Sequence, residues 1–233
     1  MKTVLITGAS QGLGKALSES FSERGYFVYA CGFSKEAPLF GEGKSLRLDV
    51  SDETAVRETL NSIDRLDVLI NNARFTPTKP VEPISESEWW DRNLDISLKG
   101  TYLCCVAALE KMKHQENGGC IINVSSIRGI IPNDWDRIPY GAAKAGQISL
   151  TRSFALAGGA FNVRVNAFLP GAIGTENLLT RISPERHAEI CQQIPLHRIG
   201  TIEEMCHAIH FLVENRYMTG ACLNCSGGLL LDY

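Results

Sequence analysis

Ser126, Tyr140 and Lys144 have types and spacing suited to moving a proton. They lie in the stretch Ser125-Ser126-Ile127-Arg128-Gly129, which runs on to Tyr140-Gly141-Ala142-Ala143-Lys144. Tyr140 and Lys144 are four apart, so on a helix they share one face. A phenol titrates near 10 and must fall by roughly three pH units, at about 4 kcal/mol, to exchange protons well at neutral pH. A lysine cation about 4 Å away supplies about that much at an effective dielectric of about 20. Ser126 adds a hydroxyl that can hold a substrate oxygen. A tyrosine and a lysine four apart more often just flank a surface stripe, so the surrounding elements decide.

Those elements begin with a short apolar strand, Val4-Leu5-Ile6, and the turn Thr7-Gly8-Ala9-Ser10-Gln11-Gly12-Leu13-Gly14. An amphipathic helix follows to about Arg24, with Leu13, Ala16, Leu17 and Phe21 on one side. Strand, glycine-rich turn and helix start offer free backbone N–H groups and the positive helix end to a phosphate. Gly25 to Gly32 reads as the second strand. An acid at its end would bind the ribose hydroxyls of NAD, but Gly32 stands there, followed by Phe33, Ser34 and Lys35. No carboxylate repels a 2′-phosphate, and Ser34 and Lys35 can bind one, which favours NADP(H) over NAD(H).

Strand three is Ser45 to Val50, with a helix from about Asp52 to Ile63. Strand four, Val68-Leu69-Ile70, runs into Asn71-Asn72-Ala73-Arg74, and Thr76 to Pro83 is a Pro-rich loop. Ser85 with Glu88 forms a capping box that opens a long helix to about Met112. Strand five, Cys120 to Val124, delivers the serines, and Ile130 to Pro139 loops out before the Tyr140 helix. Strand six, Val163 to Phe168, leads to Pro170-Gly171. Ser183 with Pro184 starts one more helix, and Thr201 with Glu204 boxes another reaching Leu212. Ala221 to Cys225 is the last strand, before Gly227-Gly228. Strands alternate with helices throughout, which predicts an α/β fold, a doubly wound parallel sheet.

A length of 233 residues fits one large domain better than two. The formal charge of −3 gives no reason to expect nucleic acid or an anionic membrane as partner. The apolar run after Lys2 is too short for a signal peptide, and none approaches the roughly 18 residues of a membrane span, so a cytoplasmic protein is expected. The 8 cysteines are scattered through predicted elements. Cys222-Leu223-Asn224-Cys225 matches CxxC once, without a second pair or a histidine partner. They read as small core residues, with no metal site.

With these residues in view, the chain resembles the short-chain dehydrogenases/reductases over nearly its full length. The matching motifs are Thr7-Gly8 through Gly12 and Gly14, Asp49-Val50, Asn71-Asn72-Ala73, Asn123-Val124-Ser125-Ser126, and Tyr140 with Lys144. They continue with Arg164-Val165-Asn166, Pro170-Gly171 with Thr175, Ile194-Pro195-Leu196, and Tyr217-Met218-Thr219-Gly220. Within the family the chain is similar to 3-oxoacyl-acyl-carrier-protein reductases. The resemblance implies a single-domain Rossmann fold over residues 1–233 and a homodimer or homotetramer. It also implies a ketoreductase that transfers hydride between NAD(P) and a small-molecule ketone or secondary alcohol. Tyr140 then resembles the proton donor, Lys144 the residue that lowers its pKa and binds the nicotinamide ribose, and Ser126 the one orienting the substrate oxygen. Gly8, Ser10, Gln11, Gly12, Leu13 and Gly14 resemble the pyrophosphate loop, and Asp49 and Val50 the adenine contacts. Asn72, Ala73, Pro170 and Gly171 border the cofactor, and Ile173 and Thr175 resemble residues that hold the carboxamide.

The chain also departs from the family pattern. Ser97 stands where the family's fourth catalytic residue, an Asn that helps hold a kink and a proton-relay water, is expected. Asn93 is one turn too early to substitute. Arg74 replaces the usual Gly, and Gln11 the Arg common in NADP-preferring loops. Ser97 and Arg74 motivate a competing reading, a cofactor-binding sensor or scaffold that has lost catalysis. A sugar-nucleotide epimerase and a pterin reductase fit the glycine spacing, length and loop pattern less well. Segments 133–137 and 173–198 are expected to line the mouth, and a lid is expected at about 173–200. Gly141, Ala142, Ala145 and Gly146 offer small residues for helix pairing between copies.

Overall fold

The computed structural model describes residues 1–75 and 83–231, so the predicted Thr76 to Pro83 loop lies, but for Pro83, outside the described residues. Strands β1 (Thr3–Thr7), β2 (Phe27–Gly32), β3 (Gly43–Arg47), β4 (Val68–Asn71), β5 (Gly119–Val124), β6 (Val163–Pro170) and β7 (Cys222–Cys225) form one sheet. Its order is β3-β2-β1-β4-β5-β6-β7, and every pairing is parallel. The order reverses between β1 and β4, where a doubly wound sheet opens a crevice at the carboxyl ends of its strands.

Helix α1 (Gly12–Glu23) and helix α8 (Ile202–Glu214) cover one face, where Leu17, Phe21 and Ile209 pack on Val4, Ile6 and Ile70. Helices α2 (Glu53–Asn61), α4 (Gly100–Met112) and α5 (Ile138–Gly158) cover the other, with Leu60, Cys105 and Ala155 packed among Leu5, Leu69 and Ile121. The strands are therefore apolar on both sides, as a buried parallel sheet requires. None of the described helices is long and apolar enough to cross a membrane.

Several boundaries differ from the sequence expectation. Strand β3 ends at Arg47, because Asp49 Oδ1 accepts from Ser51 N at 2.9 Å and Ser51 Oγ at 2.6 Å and turns the chain out of the ladder. The long helix expected to reach Met112 is α3 (Glu86–Asn93), a π-helical turn (Leu94–Lys99) and then α4. Only half of its capping box forms: Ser85 Oγ accepts from Glu88 N at 3.1 Å, while the Glu88 carboxylate pairs with Arg92 at 2.6 Å. The Thr201–Glu204 box is complete. A short α6 (Glu176–Leu179) was not expected, and α7 (Pro184–Gln193) starts where Ser183 and Pro184 place it. All eight cysteines are free thiols; Cys31, Cys104, Cys105, Cys120 and Cys206 are buried, and the other three are half-buried.

Candidate active site

Helix α5 buries a polar stripe. Tyr140, Lys144, Gln147 and Thr151 recur at helical spacing on its inner face. The Lys144 ammonium is 1% exposed and lies 5.5 Å from the centroid of the Tyr140 ring. It donates to Val124 O at 2.6 Å and to Gln147 Oε1 at 2.9 Å. Burial, with the nearby Arg74 cation as a smaller cause, pushes its pKa down to about 7.

The end of β5 sets the serines beside this helix. Ser125 Oγ donates to Lys144 O at 2.8 Å, tying the strand end to α5. Ser126 caps the 3₁₀ turn Ile127–Gly129, its Oγ accepting from Arg128 N at 3.1 Å. Among the described residues no acceptor takes the Ser126 hydroxyl hydrogen, which can donate to a bound oxygen.

Ser97 lies in the π turn and is fully buried. Its Oγ accepts from Phe75 N at 3.3 Å, and its carbonyl takes Gln147 Nε2 at 2.6 Å and Thr101 Oγ1 at 2.8 Å. A π turn thus interrupts the helix at Ser97, with two side-chain donors on one carbonyl. Gly100 follows it, and a Cβ there would lie 2.6 Å from Val50 Cγ2. Asn93 is directed elsewhere, its Nδ2 donating to Trp89 O at 3.0 Å.

The glycine-rich turn forms a cradle beside Asn72 and Ala73. Gly8 has φ +65°, and a Cβ on it would lie 2.8 Å from Ala73 Cα. Asn72 Nδ2 donates to Thr7 O at 3.1 Å and Gly8 O at 3.0 Å, and Thr7 Oγ1 accepts from Asn72 N and Ala73 N at 3.0 Å each. Helix α1 starts at Gly12 with no side-chain cap from Gln11 and no acid in its first turn. Its first N–H groups are therefore available to an anion, as a pyrophosphate requires. Thr175, which caps α6, faces Gly12 across the cradle, and Ile173 is held by a bridge to Gly200. Pro170 ends β6, and Gly171 N donates to Cys225 O at 3.0 Å. The Gly14→Ala variant should be destabilised by about 1–3 kcal/mol, because its Cβ would lie 2.6 Å from Asn72 Nδ2 and closer still to Gly8 O. Urea unfolding of the purified variant checks this.

At the cradle's far end, Ser34 and Lys35 are exposed beyond β2, while Asp49 and Val50 follow β3. Arg47, which no sequence motif singles out, also lies at this end. The register pairs it with Gly32, and its guanidinium stands 5.7 Å from the ring of Phe33, the residue before Ser34.

A family model described as enoyl-(acyl carrier protein) reductase matches residues 8–230. The chain belongs to the short-chain dehydrogenase/reductase family. The 3-oxoacyl-(acyl-carrier-protein) reductase FabG of Thermotoga maritima is 36% identical to this family member over 246 residues, spanning 99% of this chain and 98% of the relative. An uncharacterized oxidoreductase of the same organism is 36% identical over 97% of this chain and 96% of its own. The solved structure of ElxO with NADP bound matches 99% of both chains at a TM-score of 0.87 and 30% identity. A 3-oxoacyl-(acyl-carrier-protein) reductase from Brucella melitensis matches 99% of this chain and 92% of its own at a TM-score of 0.88 and 28% identity.

Two of the loop-bearing segments of this oxidoreductase lie near one another. Asp134 lies within electrostatic reach of Arg186 on α7, so the 133–137 and 173–198 segments approach one another. A cavity of about 340 Å³ under the second is lined by Gly174, Leu179, His187, Arg198 and Gly200, and not by Ser126, Tyr140 or Lys144. Two of the small residues expected to pair helices between copies are spent inside the chain. A Cβ on Gly141 would meet Arg128 O at 3.0 Å, and one on Gly146 would meet Leu98 at 2.7 Å, while Ala142 and Ala145 are exposed.

Proposed function

We propose that this family member is an NADP(H)-dependent ketoreductase in which Tyr140 protonates the oxygen of a small-molecule ketone. The observation that carries this reading is the buried Lys144 ammonium over the Tyr140 ring, on the helix that Ser125 ties to the end of β5. The nicotinamide, when bound, supplies the hydride to the carbonyl carbon. Tyr140 Oη gives its proton to the oxygen as negative charge gathers there, and Ser126 Oγ donates a second hydrogen bond to that oxygen. The Lys144 cation stabilises the phenolate that remains. In the alcohol-oxidising direction the same groups act in reverse.

The cradle's free N–H groups suit the pyrophosphate, which we assign to Gly8, Ser10, Gln11, Gly12, Leu13 and Gly14. Asp49 and Val50 border the adenine in this reading, while Asn72, Ala73, Pro170, Gly171, Ile173 and Thr175 hold the nicotinamide end. Ser34, Lys35 and Arg47 receive the 2′-phosphate. Replacing Lys35 and Arg47 together by Ala should weaken NADPH by about tenfold to a hundredfold and leave NADH nearly unchanged, since hydrogen bonds to charged groups are worth about 1.5–3 kcal/mol. Calorimetric titration with each nucleotide checks this, and the wild type should prefer NADPH. Segment 173–200 acts as the lid, and exposed Ala142 and Ala145 on α5, with half-exposed Tyr102 on α4, pair copies of the chain in a dimer or tetramer.

A further inference from the structure

Lys144 is buried, yet no carboxylate among the described residues pairs with it. Its own helix brings Tyr140 against it, and the end of β4 brings the Arg74 cation within electrostatic reach. From β5 comes the Val124 carbonyl, which is uncharged. The π turn carries Asp95 and Lys99, which pair with each other at the surface, 3.8 Å apart. A cation so placed relies on neutral dipoles.

One of those dipoles has a single available orientation. Gln147 is fully buried, and its Nε2 donates to Ser97 O at 2.6 Å and Thr101 Oγ1 at 2.7 Å. Thr101 spends its own hydrogen on Ser97 O, so its oxygen is left to accept from the amide. Rotating the amide by half a turn would set oxygen against the Ser97 carbonyl and NH₂ against the Lys144 ammonium. The carbonyl end of Gln147 is therefore locked on Lys144 Nζ at 2.9 Å. Thr151 Oγ1 fixes the backbone below by donating to Gln147 O at 2.8 Å, and accepts from Asn123 Nδ2 at 2.9 Å.

We propose that Gln147 is a positioning residue for Lys144: its side-chain carbonyl, locked by Ser97 and Thr101, holds the ammonium on the Tyr140 face and sustains its charge. An ammonium has three hydrogens, and Val124 O and Gln147 Oε1 take two, so the third remains for the Tyr140 side. The inference rests on the proposed pairing of Tyr140 with Lys144. It adds that the pair's charge depends on an amide drawn into place by the π turn at Ser97.

The test is a direct titration of Lys144 in the cofactor-free protein, followed by NMR of ε-¹³C-lysine, with its signal assigned by its loss in Lys144→Arg. In Gln147→Met, which keeps the length and removes the acceptor, the midpoint should fall by about one pH unit or more. Thr101→Val, which unlocks the amide without removing it, should lower it by less, and it carries the test should Gln147→Met not fold. Gln147→Glu should raise the midpoint, an opposite sign that loosened packing would not produce. A midpoint unmoved in both Gln147→Met and Thr101→Val would overturn the proposal. Wild-type protein that binds NADPH but reduces no ketone would reject the ketoreductase reading and leave this titration intact.

Discussion

Tyr140→Phe should lose about 10²–10⁴-fold in turnover while binding NADPH within about twofold of wild type. The substitution removes one hydroxyl and keeps the ring. Tyr140 is 9% exposed and packed on the inner face of α5, so the aromatic surface that fills the site is retained. Lys144 keeps both of its acceptors, Val124 O and Gln147 Oε1, since neither involves the phenol. On the proposed reading only the proton donor is lost, and water offers no positioned replacement. Ketone-dependent NADPH consumption beside calorimetric NADPH binding checks the split. Retained turnover would reject Tyr140 as donor, and lost nucleotide binding would show that the change had damaged the site.

The second large effect is thermodynamic. Lys144 titrates at about 7 in the folded chain against an ordinary 10.5, chiefly because it is buried. Between those values the unfolded chain holds a proton that the folded chain does not, so folding stability rises with pH across that window. Below about 7 both states are charged and the burial cost is fully present. Above about 10.5 both are neutral and it is gone. At 1.36 kcal/mol per pH unit the full swing is about 5 kcal/mol. Subtracting the stability of Lys144→Met isolates it, because Met has no proton to bind. Urea unfolding of both proteins should give a wild-type-minus-variant difference that grows from about pH 7 upward, by several kcal/mol toward pH 10. Parallel curves would mean that Lys144 is not held in a desolvated site. On the proposed reading this burial cost is a trade of stability for function.

How much of this was legible in the sequence follows from how local each signal is. The glycine-rich turn was readable because strand, turn and helix start are consecutive. So were Tyr140 and Lys144, whose shared face needs only helical periodicity. The break at Ser97 was not. Residues 86–112 hold no proline, and the π turn is contacted from afar: by Gln147, 50 residues on, and by Val50 against Gly100. Arg47 looked like one more strand residue until the β2–β3 register set it opposite Gly32. Gln147 did leave a trace, as a polar residue three positions after Lys144 on a helix whose other inward positions are mostly small or apolar. Its meaning required the position of the Ser97 carbonyl. The early end of β3 has a similar cause, since the Asp49 side chain could turn to its own Ser51 or stay in line with the strand.

The most direct test of the central claim is a product-balanced assay of the purified wild-type chain with NADPH and a panel of ketones that includes 3-oxoacyl thioesters. The ketoreductase reading predicts one alcohol formed for each NADPH oxidised with at least one ketone. Saturable NADPH binding with no alcohol formed from any ketone would contradict it and favour a cofactor-binding scaffold that has lost catalysis.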